Sequence, residues 1–322
     1  MTQSLEVCIL AAGVGSRMCS DKPKVLQTLA GKPLLEHLLE TVSSFSPTSV
    51  HVVVGQGSEE VKAKFADRTD IKWVYQAERK GTGHAMQQAA PDIDPESRVL
   101  ILLGDAPLVK RTTLDELTSV DADLTVLTVD MEEPYNYGRI LREDERVTEI
   151  IEEKDANERQ RSIREINSGV MVADGRKLVS WLKQLTDDNA QKEFLLTDIV
   201  RYANSEGSMV KAYKTDDPVE VTGINTFSQL AGLERALQHK TAQQLMGRGV
   251  QLMDPARIDV RGNLVVGRGV SIDINAIFEG EVTIGDDVTI GPNCVIKDSQ
   301  VGTGSVIKAN SMLEQAMVGE RC

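Results

Sequence analysis

The feature that most restricts the fold is an apolar residue that recurs every six positions in the C-terminal part of the chain. A six-residue period is typical of parallel β-helices, in which three repeats form one coil and the apolar side chain points inward. An antiparallel sheet with alternating residues would not keep so strict an interval, because hairpin loops vary in length. The repeated positions are Val260, Val266, Ile272, Phe278, Ile284, Ile290 and Ile296, then, after one-residue slips, Val301, Ile307, Leu313 and Val318.

The chain before about residue 225 has a different pattern, in which short apolar runs alternate with helical periodicity. This alternation is typical of an α/β domain with a Rossmann-like, mainly parallel sheet between helices. We predict that residues 1–226 form this domain, that 227–249 form a linking helix, and that 250–322 form the β-helix. The predicted strands are 7–10, 51–54, 72–75, 99–103, 124–129 and 169–172, and helical spacing marks 34–42, 84–90, 177–185 and 227–246.

The acidic balance of the chain argues against a nucleic acid partner. The net charge of -13 would repel a polyphosphate backbone, and no basic patch interrupts it. No apolar run is long enough to span a bilayer and no basic leader precedes the first strand, which predicts a cytoplasmic protein without a membrane partner. The scattered Cys8, Cys19, Cys294 and Cys322 suit a reducing compartment.

A glycine-containing loop follows the first predicted strand. The segment LAAGVGSRM covers residues 10–18 and is followed by DKPK at 21–24. Glycines let backbone N–H groups approach phosphate oxygens, Ala11 and Ala12 leave room for a base, and Arg17 and Lys24 supply positive charge. Met18 stands where a dinucleotide-binding loop would have its third glycine, so the spacing alone is equally compatible with a tight turn.

Two further segments carry groups suited to a base and a metal ion. Gln76 ends the third predicted strand and precedes GTGHA at 81–85. An amide can donate and accept together, although a helix cap and a surface glutamine would give the same pattern. Asp105 follows the buried strand 99–103, where ligands of open α/β sheets bind. A lone Asp in that place can hold Mg²⁺ together with substrate phosphates, or merely form a turn before proline.

Three polar segments, at 137–139, 152–156 and 165–169, provide carboxylate and amide groups between apolar runs. A hydroxyl-rich sugar needs such partners in fixed places. Taken singly, each segment is typical of a loop, and the charges after Glu152 are typical of a solvated face.

The motifs resemble those of one enzyme family. LAAGxGxRM with Pro23-Lys24 is similar to the signature of the sugar-phosphate nucleotidyltransferases, and QAExxGTGHAMQQAAP resembles the bacterial bifunctional N-acetylglucosamine-1-phosphate uridyltransferase and glucosamine-1-phosphate acetyltransferase. The likeness runs from about residue 6 to residue 318 and implies catalytic roles for Arg17, Lys24 and Asp105. It further implies Mg²⁺ ligands Asp105 and Asn225, nucleotide contacts from Leu10, Ala11, Ala12, Gly13, Lys24, Gln76, Gly81 and Thr82, and sugar contacts from Leu103, Gly104, Gly138, Glu152, Asn167 and Asn225.

The resemblance also implies a reaction and an assembly. The expected substrates are UTP and N-acetylglucosamine-1-phosphate and the expected products are UDP-N-acetylglucosamine and pyrophosphate, for cell-wall and lipopolysaccharide synthesis. The family forms a homotrimer through a left-handed β-helix, with its acetyl-transferring site farther along that helix. Because no histidine follows His239 and the coils end at residue 322, we expect a C-terminally shortened chain without acetyl transfer.

The chain departs from the family pattern at two places, and two rival functions remain. Val14 stands where many relatives have a loop lysine, and Leu103 stands where close relatives have tyrosine. The phosphate loop is also shared by thymidylyl-, guanylyl- and adenylyltransferases. A non-catalytic subunit is a rival from another class, although such subunits commonly lose the charged residues present here.

Overall fold

The apolar runs of the N-terminal part form the strands of one sheet in the computed structural model, which describes residues 3–322. Each of the six predicted strands lies within an observed strand, which confirms the predicted α/β class. The first strands in chain order are β1 (Leu5–Leu10), β2 (Thr28–Leu29), β3 (Lys32–Pro33), β4 (Ser49–Val54), β5 (Ile71–Tyr75), β6 (Arg98–Leu103), β7 (Leu124–Asp130), β8 (Arg139–Glu143), β9 (Arg146–Ile151), β10 (Glu165–Asp174) and β11 (Val210–Thr215).

The sheet is mixed and mainly parallel, as expected. Its order is β11-β7-β10-β6-β1-β4-β5, with the β8–β9 hairpin attached to β10. Only β10 runs antiparallel to its neighbours along this path. The chain passes from β1 outward to β4 and β5 and then returns to the other side of β1 as β6, so the strand order reverses at β1. Such a reversal opens a crevice at the carboxyl ends of the two strands.

Helices cover both faces of this sheet. Val7 and Ile9 of β1 pack with residues of the first, second and fourth helices, whereas Cys8 faces the third, sixth and seventh. Alternate residues of a strand point to opposite faces, so a strand buried on both sides becomes continuously apolar. The helices are α1 (Leu34–Ser43), α2 (Ser58–Lys64), α3 (Thr82–Ala89), α4 (Arg111–Ser119), α5 (Glu158–Arg161), α6 (Gly175–Leu182) and α7 (Ile199–Ser205).

Several elements differ from their predicted bounds, and two of these differences have a clear structural reason. Helix α6 was expected at 177–185 but begins at Gly175, because the Asp174 side chain accepts a hydrogen bond from Lys177 N and caps the first turn. The strand expected at 169–172 extends over Glu165–Asp174, so the polar segment 165–169 belongs to a strand rather than a loop. A shift of register between Asn167 and Met171 interrupts its pairing with β7, and this irregularity hid the strand in the sequence pattern.

The six-residue period forms stacked coils of parallel strands, which confirms the predicted β-helix. Val260 pairs with Phe278 and Phe278 with Ile296, eighteen residues or three repeats apart. After the slip the interval shortens to seventeen, as between Ile284 and Val301. The strands are β12 (Gln251–Leu252), β13 (Ile258–Val266), β14 (Ser271–Ile272), β15 (Ala276–Ile284), β16 (Thr289–Ile290), β17 (Val295–Lys297), β18 (Gln300–Val301), β19 (Val306–Ile307), β20 (Met312–Glu314) and β21 (Met317–Val318).

Contacts divide the described residues into two units, and the second unit contains more than the coils. The first unit comprises the residues up to Leu26 with Leu34–Asn225, and the second comprises Gln27–Pro33 with Thr226–Cys322. The second unit includes helix α8 (Phe227–Gly247), which starts at a capping box formed by Thr226 and Gln229.

Polar contacts fix helix α8 within the second unit. The buried Gln238 side chain exchanges two hydrogen bonds with the Val260 backbone, each 2.8 Å long, and so extends the edge of the first coil. The β2–β3 hairpin joins the same unit, because Ala30 N donates to Glu234 Oε2 at 2.7 Å. Its Gly31 has a φ of +83° and lies against the Arg261 backbone, where a side chain would collide.

Three asparagines stack at one corner of the β-helix. Asn275, Asn293 and Asn310 have φ of 59°, 58° and 61°, the left-handed conformation that asparagine tolerates better than most residues. The Nδ2 of Asn275 donates to Oδ1 of Asn293 at 2.9 Å, and that of Asn293 donates to Oδ1 of Asn310 at 3.2 Å. This asparagine ladder joins the side-chain amides of successive coils by hydrogen bonds at the corner where the backbone turns.

We expect Asn293→Ala to lower the local stability of the coils by about 1–3 kcal/mol, because it loses both amide hydrogen bonds and strains the backbone. Hydrogen exchange of peptides covering 288–301 measures this local free energy directly. Asn293→Gly keeps the backbone conformation but not the hydrogen bonds, so it should fall between the alanine variant and the wild type. Equal protection in all three proteins would show that the ladder contributes nothing.

Candidate active site

The predicted phosphate loop begins where β1 ends, at the crevice described above. Ala11 N donates to Val53 O at 2.8 Å, after which the chain leaves the sheet. Gly15 has a φ of +63° and lies against the Lys24 side chain, which a Cβ would approach to 3.1 Å. A 3₁₀ turn over Ser16–Met18 follows, with Met18 buried and Arg17 exposed. The loop therefore curls around Lys24 and leaves Gly13 open, since a Cβ at Gly13 would meet no atom within 4 Å.

A cavity of about 340 Å³ lies at the carboxyl ends of β1, β5 and β6. Arg17, Gly104, Gly138, Glu152, Asn167 and Asn225 are not among the residues that line it. The remaining predicted site residues do line it, and the structure adds Val14, Val25, Arg79, Ala85 and Glu193. The full lining is Leu10, Ala11, Ala12, Gly13, Val14, Lys24, Val25, Gln76, Arg79, Gly81, Thr82, Ala85, Leu103, Asp105 and Glu193.

Lys24 joins the two predicted metal ligands. Its Nζ lies 2.5 Å from Asp105 Oδ2 and 2.9 Å from Asn225 Oδ1, although these residues are 81 and 201 positions away in sequence. The Lys24 side chain is 6% exposed, whereas Asp105 keeps 25% of its side chain exposed. One carboxylate oxygen and one amide oxygen thus already hold a cation between them. The pair has the oxygen donors that a hard divalent ion prefers.

Backbone and side-chain contacts hold Asp105 and Asn225 together. Ile224 N donates to Asp105 O at 2.9 Å. Farther along both segments, the buried Glu220 carboxylate accepts hydrogen bonds from Lys110 Nζ at 2.5 Å and from Thr113 Oγ1 at 2.6 Å. These contacts tie the loop after β6 to the segment that carries Asn225. Within residues 3–322 no group of three His, Cys, Asp or Glu side chains could hold a metal ion.

Gln76, Gly81 and Thr82 also line the cavity. Gln76 is 4% exposed and follows β5 directly, with its backbone N donating to Val54 O at 2.8 Å. Gly81 has a φ of +108°, and a Cβ there would lie 2.4 Å from Phe194 O. Gly83 N donates to the same carbonyl at 2.8 Å. Glycine is therefore required at 81 both for its conformation and for the close approach of the 193–196 segment.

The predicted sugar residues gather beside the register shift in β10. Asn167 N donates to Gly138 O at 2.9 Å, and a Cβ at Gly138 would lie 3.5 Å from Glu152 Oε1. Thr197 Oγ1 donates to the same Glu152 oxygen at 3.0 Å. Burial raises the pKa of the Glu152 carboxyl, and the hydrogen bond from Thr197 opposes that effect. Gly138, Glu152 and Asn167 are therefore neighbours in space.

Tyr137 lies between this group and Asp105. Burial raises the pKa of its hydroxyl, which also contacts the backbone of Gly223 and feels the charge of Asp105. Gly223 in turn lies close to both Asp105 and Asn225, since a Cβ there would be 3.9 Å from a side-chain atom of each. The phosphate loop, the cation pair and the three clustered polar residues thus meet in one region of the first unit.

Known protein families match both parts of the chain. Residues 7–202 match the MobA-like NTP transferase domain, and residues 263–298 match the bacterial transferase hexapeptide repeats. The chain is 47% identical over 321 residues to the bifunctional protein GlmU of Pseudoalteromonas atlantica, covering 99% of this chain and 71% of that protein. It is 49% identical to the bifunctional protein GlmU of Idiomarina loihiensis, covering 99% of this chain and 70% of that protein.

The chain belongs to the GlmU family. It is a nucleotidyltransferase, because residues 7–202 match an NTP transferase domain and nearly the whole chain is similar to bifunctional GlmU proteins. The relatives extend beyond the matched region, which covers about seven tenths of their length.

Solved structures share the fold of the first part of this GlmU-family chain. A putative glucose-1-phosphate thymidylyltransferase from Bacillus anthracis superposes with a TM-score of 0.58 at 19% identity, covering 73% of this chain and 95% of that chain. A UDP-glucose pyrophosphorylase complexed with UDP-glucose superposes with the same score of 0.58 at 17% identity, covering 74% and 99%. At these identities the likeness establishes the fold alone.

Within residues 3–322 no helix is both long and apolar enough to cross a bilayer.

Sequence reasoning missed several groups of the candidate site. Arg79 stands at an unspecified position of the QAExxGTGHAMQQAAP string, and Glu193 and Thr197 stand in a segment without a recognisable motif. Arg79 and Glu193 nevertheless line the cavity, and Thr197 donates to Glu152. Tyr137 adjoined a predicted sugar residue and could have been selected on that ground. Thr197 carried no such signal, because its partner lies 45 residues earlier in the chain.

Proposed function

We propose that the chain transfers a uridylyl group from UTP to N-acetylglucosamine-1-phosphate with the help of Mg²⁺, forming UDP-N-acetylglucosamine and pyrophosphate. The observation that carries the proposal is the meeting of Lys24, Asp105 and Asn225 beside a cavity that also contains Gln76. A cation site, a glycine loop and an amide therefore lie where the phosphates and base of one nucleotide could bind together.

The residues present fit a divalent ion. The Lys24 ammonium contacts Asp105 Oδ2 and Asn225 Oδ1 at hydrogen-bonding distance, so both oxygens point to a common cation position. Mg²⁺ is usually bound through one or two protein ligands together with substrate phosphates and waters. When bound there, Mg²⁺ would neutralise charge that accumulates on the phosphates as the bond to the α-phosphorus changes.

The protein would act mainly by positioning and by charge. A sugar phosphate is largely ionised near neutral pH, because its second pKa is about 6, and it needs no general base to attack the α-phosphorus in line. Backbone N–H groups of the loop from Ala12 to Gly15 would face the triphosphate. Lys24 would leave the oxygens of Asp105 and Asn225 for the phosphates, and the exposed Arg17 would offset charge on the departing pyrophosphate.

The acceptor sugar is assigned to the cluster beside β10. The Glu152 carboxylate and the backbone of Gly138 and Asn167 are neighbouring hydrogen-bonding groups with fixed geometry. Leu103 lines the cavity and packs against Gly169, where its Cδ1 occupies the space of a side chain. We assign Leu103 and Gly104 to the sugar side and Leu10, Ala11, Ala12, Gly13, Gly81 and Thr82 to the nucleotide side.

A panel of substrates tests the proposal. Pyrophosphate release is measured with UTP, CTP, dTTP, ATP and GTP, each with N-acetylglucosamine-1-phosphate, glucosamine-1-phosphate and glucose-1-phosphate. We expect UTP with N-acetylglucosamine-1-phosphate to have a kcat/KM at least tenfold above every other pair, because a site built to hydrogen-bond a group rejects analogues that lack it. Preference for another base, or turnover with none, would overturn the assignment. The homotrimer, cytoplasmic location and lack of acetyl transfer stay predictions.

A further inference from the structure

The Gln76 side chain is held in one orientation by two partners. Its Nε2 lies 3.2 Å from Gly81 O and 3.0 Å from His84 Nδ1. Gly81 O is a backbone carbonyl and can only accept, so the amide nitrogen of Gln76 is the atom that faces it. A primary amide has two N–H donors, and both are engaged by these contacts.

The amide oxygen of Gln76 is consequently the group left for a ligand. Within residues 3–322 neither contact of the Gln76 side chain involves Oε1, and Oε1 is not among the buried atoms that lack a partner. Gln76 lines the cavity, whereas His84 does not. His84 therefore touches the cavity only through the glutamine that it holds.

This orientation requires a particular state of His84. Since the Gln76 nitrogen is the donor, Nδ1 is the acceptor of this contact. The Gln88 amide nitrogen lies 3.3 Å from the other ring nitrogen and donates to His84 O at 3.3 Å, so the shorter contact, from Gln76, is the hydrogen bond to the ring. The ring is braced from the side by Phe194, with ring centroids 6.2 Å apart. The His84 imidazole is thus fixed as an acceptor facing Gln76.

We propose that His84 is a positioning residue for base selection, because it holds Gln76 with its carbonyl oxygen toward the nucleotide base. A carbonyl oxygen can accept from the N3–H group of uracil. Cytosine has an unprotonated N3 in that place, which would put two acceptors against each other. The inference rests on the proposed function and assigns the uracil preference to a pair, Gln76 and His84, rather than to Gln76 alone.

Two variants of equal size separate the hydrogen bond from packing. His84→Asn retains an acceptor oxygen near the place of Nδ1, whereas His84→Leu has nearly the same shape and no acceptor. Loss of one orienting hydrogen bond corresponds to roughly a fivefold effect. We expect His84→Leu to lower the ratio of kcat/KM for UTP to that for CTP about fivefold, mainly through a higher KM for UTP. His84→Asn should keep the ratio within about twofold of the wild type.

Gln87→Ala provides the matched control, because Gln87 lies on the same helix, donates to Leu182 O at 2.7 Å and does not line the cavity. It should leave the UTP to CTP ratio unchanged. Equal ratios in His84→Leu and the wild type would overturn the inference, as would equal losses in the leucine and asparagine variants. Calorimetric titration with UTP and CTP gives the corresponding ratio of binding affinities, independently of turnover. If the wild-type protein binds or uses CTP as well as UTP, the proposed uridylyl transfer is wrong. If the wild type prefers UTP but His84→Leu prefers it equally, only the inference about His84 is wrong.

Discussion

Asp105→Asn is expected to lower the rate of pyrophosphate release by about a thousandfold or more at saturating Mg²⁺. The substitution keeps the size of the side chain but removes the only carboxylate that contacts Lys24 Nζ among residues 3–322. A carboxylate that holds Mg²⁺ against two phosphorylated substrates acts through its charge, so an amide of equal shape cannot replace it. The measurement is steady-state pyrophosphate release with UTP and N-acetylglucosamine-1-phosphate.

The fold should survive this change. The contact that fixes the position of the loop is between Ile224 N and the backbone oxygen of Asp105, which the substitution leaves in place. Asp67→Asn removes an equal charge from an exposed position and should behave as wild type. Activity of Asp105→Asn within tenfold of the control would remove Asp105 from the metal site, whereas a lower melting temperature would assign it a structural role instead.

Lys24→Met should separate metal binding from catalysis. In the free protein the Lys24 ammonium contacts the same two oxygens that we assign to Mg²⁺, and two cations cannot share them. Replacing the ammonium with an uncharged chain of similar length should raise the affinity of the nucleotide-free protein for Mn²⁺ by about fivefold or more. The same variant should lose about a hundredfold or more in kcat/KM for UTP, because a phosphate contact is removed.

Electron paramagnetic resonance of Mn²⁺ titrated into the free protein measures the first effect independently of turnover. Lys64→Met removes an exposed lysine from helix α2 and is the matched control for net charge. Unchanged or weaker Mn²⁺ binding by Lys24→Met would show that the ion and the lysine do not compete. Unchanged kcat/KM would show that Lys24 does not reach the phosphates.

Much of the fold follows from local pattern. Inward positions of the β-helix must be apolar in every coil, so the six-residue period can be recognised in the sequence. Three such repeats separate Phe278 from Ile296, which pair in neighbouring coils. The central strands of the sheet are buried on both faces and therefore appear as apolar runs. The β2–β3 hairpin could not be predicted in this way. Its strands have two residues each, and its place depends on Glu234, 204 positions later.

The candidate site likewise contains residues that local pattern identifies and contacts that it does not. Motif residues such as Lys24 and Asp105 could be selected because glycine loops and strand ends are recognisable in sequence. The direct contact of Lys24 with Asn225 could not be predicted from local pattern, since it joins segments 201 positions apart that only the folded sheet brings together. The His84 imidazole was visible only as part of a helix start, because nothing in its spacing indicates which side chain it faces.

A crystal structure with Mn²⁺ and UDP-N-acetylglucosamine tests the central claim most directly. The anomalous signal of Mn²⁺ should lie within roughly 2.5 Å of one Asp105 carboxylate oxygen and of Asn225 Oδ1, with Lys24 turned toward the phosphates. A Mn²⁺ peak that contacts neither residue, with the Lys24 ammonium still bound between them, would contradict the account.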